Sequence, residues 1–191
     1  MKTNNKKLSV ETIALGAVLT ALVIILQMLG GFIRFGMFQV SLVLVPIVIG
    51  AAKCGKGIGA WLGFVFGLVV LLNGDAAAFL TVNVVGTIIT VLVKGTACGF
   101  LAGLVYELIA NKNRYVAVVA AALVCPIVNT GVFLLGCVLF FMETITEWAG
   151  GTNVGAYIIT GLVGFNFLFE LGTNMVLGPI IMRVLKAFEK K

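Results

Sequence analysis

Apolar residues run almost without interruption along this chain, and the polar ones gather in short clusters that cut it into six stretches. The stretches are apolar all round rather than along one stripe, as helices must be when lipid or other helices surround them. Crossing ~30 Å of hydrocarbon at ~1.5 Å per residue takes about 20 residues. The runs predict helices near residues 9–29, 40–53, 56–73, 80–109, 114–142 and 154–185. The expected fold is an all-α bundle of six transmembrane helices forming one domain over residues 1–191. The second run is short, long enough for a partial crossing only.

Charge orients the bundle. Lys2, Lys6, Lys7, Lys53, Lys56, Lys112, Arg114, Arg183, Lys186, Lys190 and Lys191 all fall at the termini or in the even-numbered connections. Of the basic residues outside the runs, only Arg34 falls in an odd-numbered connection, and those connections carry Asp75, Glu143 and Glu147. The positive-inside rule then places both termini in the cytoplasm of a multi-pass protein of the cell membrane. The first run is about as long as a full crossing and lacks a small-residue cleavage site, so it reads as a retained helix rather than a signal peptide.

Composition narrows the chemistry. With 61% hydrophobic and 10% charged residues and a mean hydropathy of +1.20, the chain lies far outside soluble domains. Its net charge of +6 follows from topology and from contact with anionic lipid, which leaves nucleic-acid binding without support. There is no histidine, and Cys54, Cys98, Cys125 and Cys137 show no CxxC spacing, so no metal, redox or cofactor site is predicted. Gly50 to Gly57 reads GAAKCGKG and copies a phosphate-binding loop in outline. Gly57 stands where that loop needs Ser or Thr for magnesium, and both flanks are apolar helices, so no ATPase is predicted within this chain. No paired nucleophile and base suggests an enzyme.

The polar exceptions inside the runs carry the functional argument. Lys94, Asn129 and Glu170 each lie about 20 to 25 Å from a helix end, which brings a cation, an amide and an anion to one layer. A charge at that depth costs roughly 2.5 to 3.5 kcal/mol and ordinarily faces a partner, a cavity or a transport path. Asn166 and Asn174 flank Glu170 at one-turn spacing and share its face. Asn83 and Thr130 extend the polar surface. Two readings stand together: an internal clasp in which Lys94 neutralises Glu170, and the floor of a solute pocket that opens outward. The outer connections suit a cover. Residues 30–39 read GGFIRFGMFQ, and residues 143–153 carry Trp148 beside Gly150 and Gly151. Arg34, Phe35, Gln39 and Trp148 either anchor the interface or close over a ligand.

Small residues supply a further pattern. Gly55, Gly59, Gly63 and Gly67 recur every fourth position on the third run, as do Gly95, Gly99 and Gly103 on the fourth, giving ridges on which another backbone can lie. Ala14, Ala17 and Ala21 with Gly16 and Thr20 form a similar stripe on the first run, facing either the bundle or another protein.

Five stretches together resemble one family: ALGAVLTA from Ala14, VPIVIGAAKCGKGIGAWLGFVFGL from Val45, VKGTACGFLAGLVYELI from Val93, the Asn129–Thr130 pair, and FNFLFELGTNMVLGPIIMRVL from Phe165. In order and spacing they are similar to the substrate-binding S components of energy-coupling-factor vitamin transporters, most of all the pantothenate-type members, with riboflavin, pyridoxine-type and folate members open. The resemblance implies capture of a vitamin from outside, with release powered by a membrane-embedded coupling subunit and two cytoplasmic ATPases. It implies that the face bearing Ala14, Ala17 and Ala21 docks on the coupling subunit. It also implies a ligand site in the outer half, among helices four to six and the first, third and fifth connections, with Lys94 and Glu170 at the pocket floor or below it; the polar layer itself offers Asn83, Lys94, Asn129, Asn166, Glu170 and Asn174 as pocket candidates beneath Arg34, Gln39 and Trp148. A self-sufficient ion- or proton-coupled carrier using Lys94 and Glu170 as a relay is the alternative.

Overall fold

The computed structural model describes residues 9–30, 34–35, 38–39 and 42–187, and its architecture is helical. The helices are α1 (Val10–Gly30), α2 (Leu44–Cys54), α3 (Lys56–Leu72), α4 (Ala77–Leu80), α5 (Val84–Ala110), α6 (Arg114–Phe140), α7 (Met142–Trp148), α8 (Val154–Tyr157) and α9 (Gly164–Ala187). Between α1 and α2 two short strands, β1 (Arg34–Phe35) and β2 (Phe38–Gln39), pair antiparallel with Arg34 opposite Gln39.

By length and hydropathy α1, α5 and α6 are each able to cross a membrane alone. The last predicted run is a broken element rather than one rod. Its backbone passes from α8 through a π-helical stretch, Ile158–Val163, into α9, and the segments Val154–Val163 and Phe167–Pro179 meet at 43°. Taken as one span, this pair is the fourth. A π-helical stretch inserts an extra residue per turn, which displaces the hydrogen-bond ladder and turns the following side chains to a new face.

The other ends also differ from simple runs. The fourth predicted helix starts at Val84, because the Asn83 side chain accepts a hydrogen bond from the Gly86 backbone N–H at 2.8 Å and caps α5. The residues before it form the separate turn α4. The fifth ends at Phe140, and α7 follows as a short helix of its own.

α2 is the centre of the molecule. Its 11 residues extend about 16 Å, half a bilayer, and Leu44, Ile47, Val48 and Ala51 are all fully buried among α1, α3, α5, α6 and α9. A chain that must reverse within one residue of α2's end uses Gly55, whose φ of 90° lies in the left-handed region that side chains avoid. α3 then runs back along α1 and α5.

The glycine ridges of α3 and α5 meet each other. A Cβ placed on Gly59 would lie 2.5 Å from the Gly99 carbonyl oxygen, and one on Gly67 would lie 2.9 Å from that of Val91. Gly63 and Gly95 stand against one another's backbone in the same way, and Gly103 meets Lys56. Only hydrogen fits at these positions, so α3 and α5 lie backbone on backbone, and close van der Waals packing supplies in lipid what the hydrophobic effect supplies in water.

The stripe on α1 divides. Gly16, Leu19, Val23, Gln27 and Gly30 face the bundle, with Gly16 against Ile58, whereas Ala14, Ala17 and Ala21 are exposed.

Candidate ligand site among α3, α5, α6 and α9

The inward faces of α5, α6 and α9 carry the polar residues that hydropathy singles out. On α9, Glu170, Asn174, Gly178 and Ile181 are buried at helical spacing, so the carboxyl and the amide share one inner stripe. On α6 the inner stripe runs from Ala117 and Val118 through Ala121, Cys125 and Asn129 to Gly136. On α5, Thr87, Thr90, Val91, Gly95 and Cys98 are buried, with Lys94 between them partly accessible.

Lys94 sits between two aromatic faces. Its Nζ lies 5.6 Å from the ring centroid of Phe66 on α3 and 5.6 Å from that of Phe133 on α6. Ring faces carry negative potential, so a cation between two of them is stabilised without being surrounded by water. Glu170, on α9, is itself buried.

From Phe133 an aromatic cluster leads toward the α6–α7 end. The Phe79 ring stands edge-on to Phe133 at 5.6 Å, to Phe141 at 5.0 Å and to Trp148 at 5.5 Å. Trp148 thus lies in a packed apolar cap, with Ile145 and Leu162 buried beneath it, rather than alone at an interface. Edge-to-face pairs of this kind contribute roughly 0.5 to 1.5 kcal/mol beyond area burial.

Three buried oxygens in this region have no hydrogen-bond partner among the described residues: Thr90 Oγ1, Asn129 Oδ1 and Asn174 Oδ1. Asn174 is half satisfied, since its Nδ2 donates to the Glu170 carbonyl oxygen at 2.8 Å. Buried polar atoms are nearly always paired, so a group of orphans on neighbouring helices marks a place where a further molecule can supply the missing bonds. Among the described residues no group of three Cys, His, Asp or Glu comes together to hold a metal.

The side-chain oxygen of Asn83 is occupied as the cap of α5, which gives this residue a structural role whatever else it contacts. The side chains of Arg34, Phe35, Gln39 and Asn166 lie outside the described part of the structure.

Hydropathy alone passed over two buried polar groups. Gln27, 1% exposed, donates from Nε2 to Asp75 Oδ2 at 2.8 Å and ties the end of α1 to the turn after α3. Its spacing from Leu19 and Val23 on the inward stripe is the signal that would have found it. Thr90 precedes Lys94 by one helical turn, and that spacing is its signal.

A family model described as ECF transporter, substrate-specific component, matches residues 11–182, which takes in every helix named above except the ends of α1 and α9. No curated protein matches the chain.

Proposed function

Because this chain belongs to the substrate-specific components of ECF transporters, we propose that it captures a B-type vitamin, with pantothenate as the leading candidate, from outside the cell. The family is one of transporter subunits that bind a small molecule and work with an ECF module, not one of catalytic enzymes. In this reading the chain crosses the cell membrane six times with both termini cytoplasmic. α2, too short to stand alone in a bilayer, is sheltered by the longer helices. The partners are a membrane-embedded coupling subunit and two cytoplasmic ATPases, and the exposed face of Ala14, Ala17 and Ala21 meets the coupling subunit.

The observation that supports a binding role is the set of unpartnered buried oxygens on three different helices, one of them a helical turn from Lys94. A clasp serving the fold alone would satisfy its own members; this group leaves acceptors open. Lys94, Asn129, Glu170 and Asn174 form the floor, with Asn83 and Asn166 flanking, and Arg34, Gln39 and Trp148 belong to the cover. Capture needs no covalent step. Binding lowers the free energy by pairing groups that the empty protein leaves unpaired.

Asn129→Ala tests this reading. It removes an acceptor and leaves the helix intact, so pantothenate affinity, measured by isothermal titration in detergent, is expected to fall about tenfold or more while yield is unchanged. Unaltered affinity would remove Asn129 from the site. Mass spectrometry of small molecules that co-purify in mild detergent decides among pantothenate, riboflavin, pyridoxine and folate.

A further inference from the structure

We infer that Thr90 is a ligand contact, and that the site selects a small organic molecule bearing hydroxyl or amide N–H donors. The inference rests on the capture reading above and deepens it.

Thr90 lacks a bond that other threonines of this fold make. Thr20, Thr87 and Thr96 each donate to the carbonyl four residues earlier at 2.7 Å, and Thr146 and Thr160 do the same at 2.8 and 2.7 Å. That back-bond is the nearest way for a hydroxyl in a helix to find a partner. The Thr90 hydroxyl is buried, on a residue 5% exposed, and has no partner among the described residues.

The neighbouring helix is shaped around this side chain. A Cβ on Gly136 of α6 would lie 2.9 Å from the Thr90 Cβ and would meet its hydroxyl more closely still. One turn along α6 from Gly136, Phe133 faces Lys94, which is one turn along α5 from Thr90. Asn129 follows one turn further. Thr90, Lys94 and Asn129 therefore succeed one another along a single seam, and Asn174 is buried on α9, which packs against α6.

Hydrogen-bond chemistry sets the ligand class. An amide oxygen only accepts, and a hydroxyl accepts as well as donates. The open positions at Asn129 and Asn174 call for donors, and Thr90 takes either partner. Lys94 offers the complementary donor for a carbonyl or carboxylate oxygen.

The test compares ligand-stripped wild type, Thr90→Val and Thr90→Ser in mild detergent. Valine keeps the shape and removes the hydroxyl; serine keeps the hydroxyl. Melting is measured without ligand, and affinity is measured for pantothenate, riboflavin and pyridoxine, with benzoate as an anion that carries no hydrogen-bond donor. Thr90→Val is expected to melt about 2 to 4 °C higher when empty and to bind the preferred vitamin about tenfold more weakly. Thr90→Ser should bind as wild type, and benzoate should not displace the vitamin. An empty Thr90→Val protein that melts at or below wild type overturns the inference, as does unchanged affinity or displacement by benzoate. If none of the three vitamins binds wild type, the proposed substrate set fails separately. The melting of the empty variant then decides Thr90 alone, a rise upholding the unfilled hydroxyl and a fall overturning it.

Discussion

The two faces of α5 solve opposite problems. Toward α3 it presents Gly95, Gly99 and Gly103, and the contact is closed, with carbonyls of one helix against the Cα atoms of the other. Toward α6 it presents Thr90 and Lys94, where a buried hydroxyl has no partner among the described residues and a cation rests on rings. One face has no room for a methyl group and the other has unmet hydrogen bonds. An apolar helix can thus be closed along one side and leave polar groups open along the other, because consecutive turns keep each set of residues on its own face.

Breaking the closed face should have the largest effect. Gly63→Leu drives a side chain into the backbone at Gly95, where nothing flexible can yield. The expected result is loss of the monodisperse peak in size-exclusion chromatography, since overpacking typically costs about 1 to 3 kcal/mol or more even where side chains can move. A variant that folds and melts like wild type would show that the two helices separate more readily than their contact implies.

The polar face should respond next, and differently. Lys94→Met alone removes the cation from the layer that holds buried Glu170, and a lower melting temperature is expected. Adding Glu170→Gln should recover most of the melting temperature and leave vitamin uptake in cells abolished. Recovered uptake would reduce the pair to an internal clasp. The smallest effect belongs to the Gly103 end of the closed face, where Lys56 Nζ and Glu107 Oε2 pair at 3.0 Å with both side chains well exposed. Lys56→Ala is expected to cost about 0.2 to 1 kcal/mol, visible as a slight fall in melting temperature that vanishes in high salt.

The closed face was legible from the sequence because its cause is local: a glycine every fourth residue on two runs admits few other uses. Inward-facing Glu170 and Asn174 were legible for the same reason, as one-turn spacing puts both on one side. What escaped depends on partners far away in the chain. Gln27 looks like an interfacial residue until Asp75 reaches it. The π-helical stretch at Ile158–Val163 sits inside a run whose hydropathy is continuous, so no polar or proline signal announces it. Asn83 was visible as a polar residue and was readable as more: an Asn directly before an apolar run is a helix start, and its capping bond is what fixes where α5 begins.

Phe66 belongs to α3 and Phe133 to α6, yet both rings rest on the same ammonium. Because α3 lies backbone on backbone against α5, the helix that carries Lys94, Phe66 keeps its place by the ammonium through glycines four residues apart and not through any side chain of its own neighbourhood.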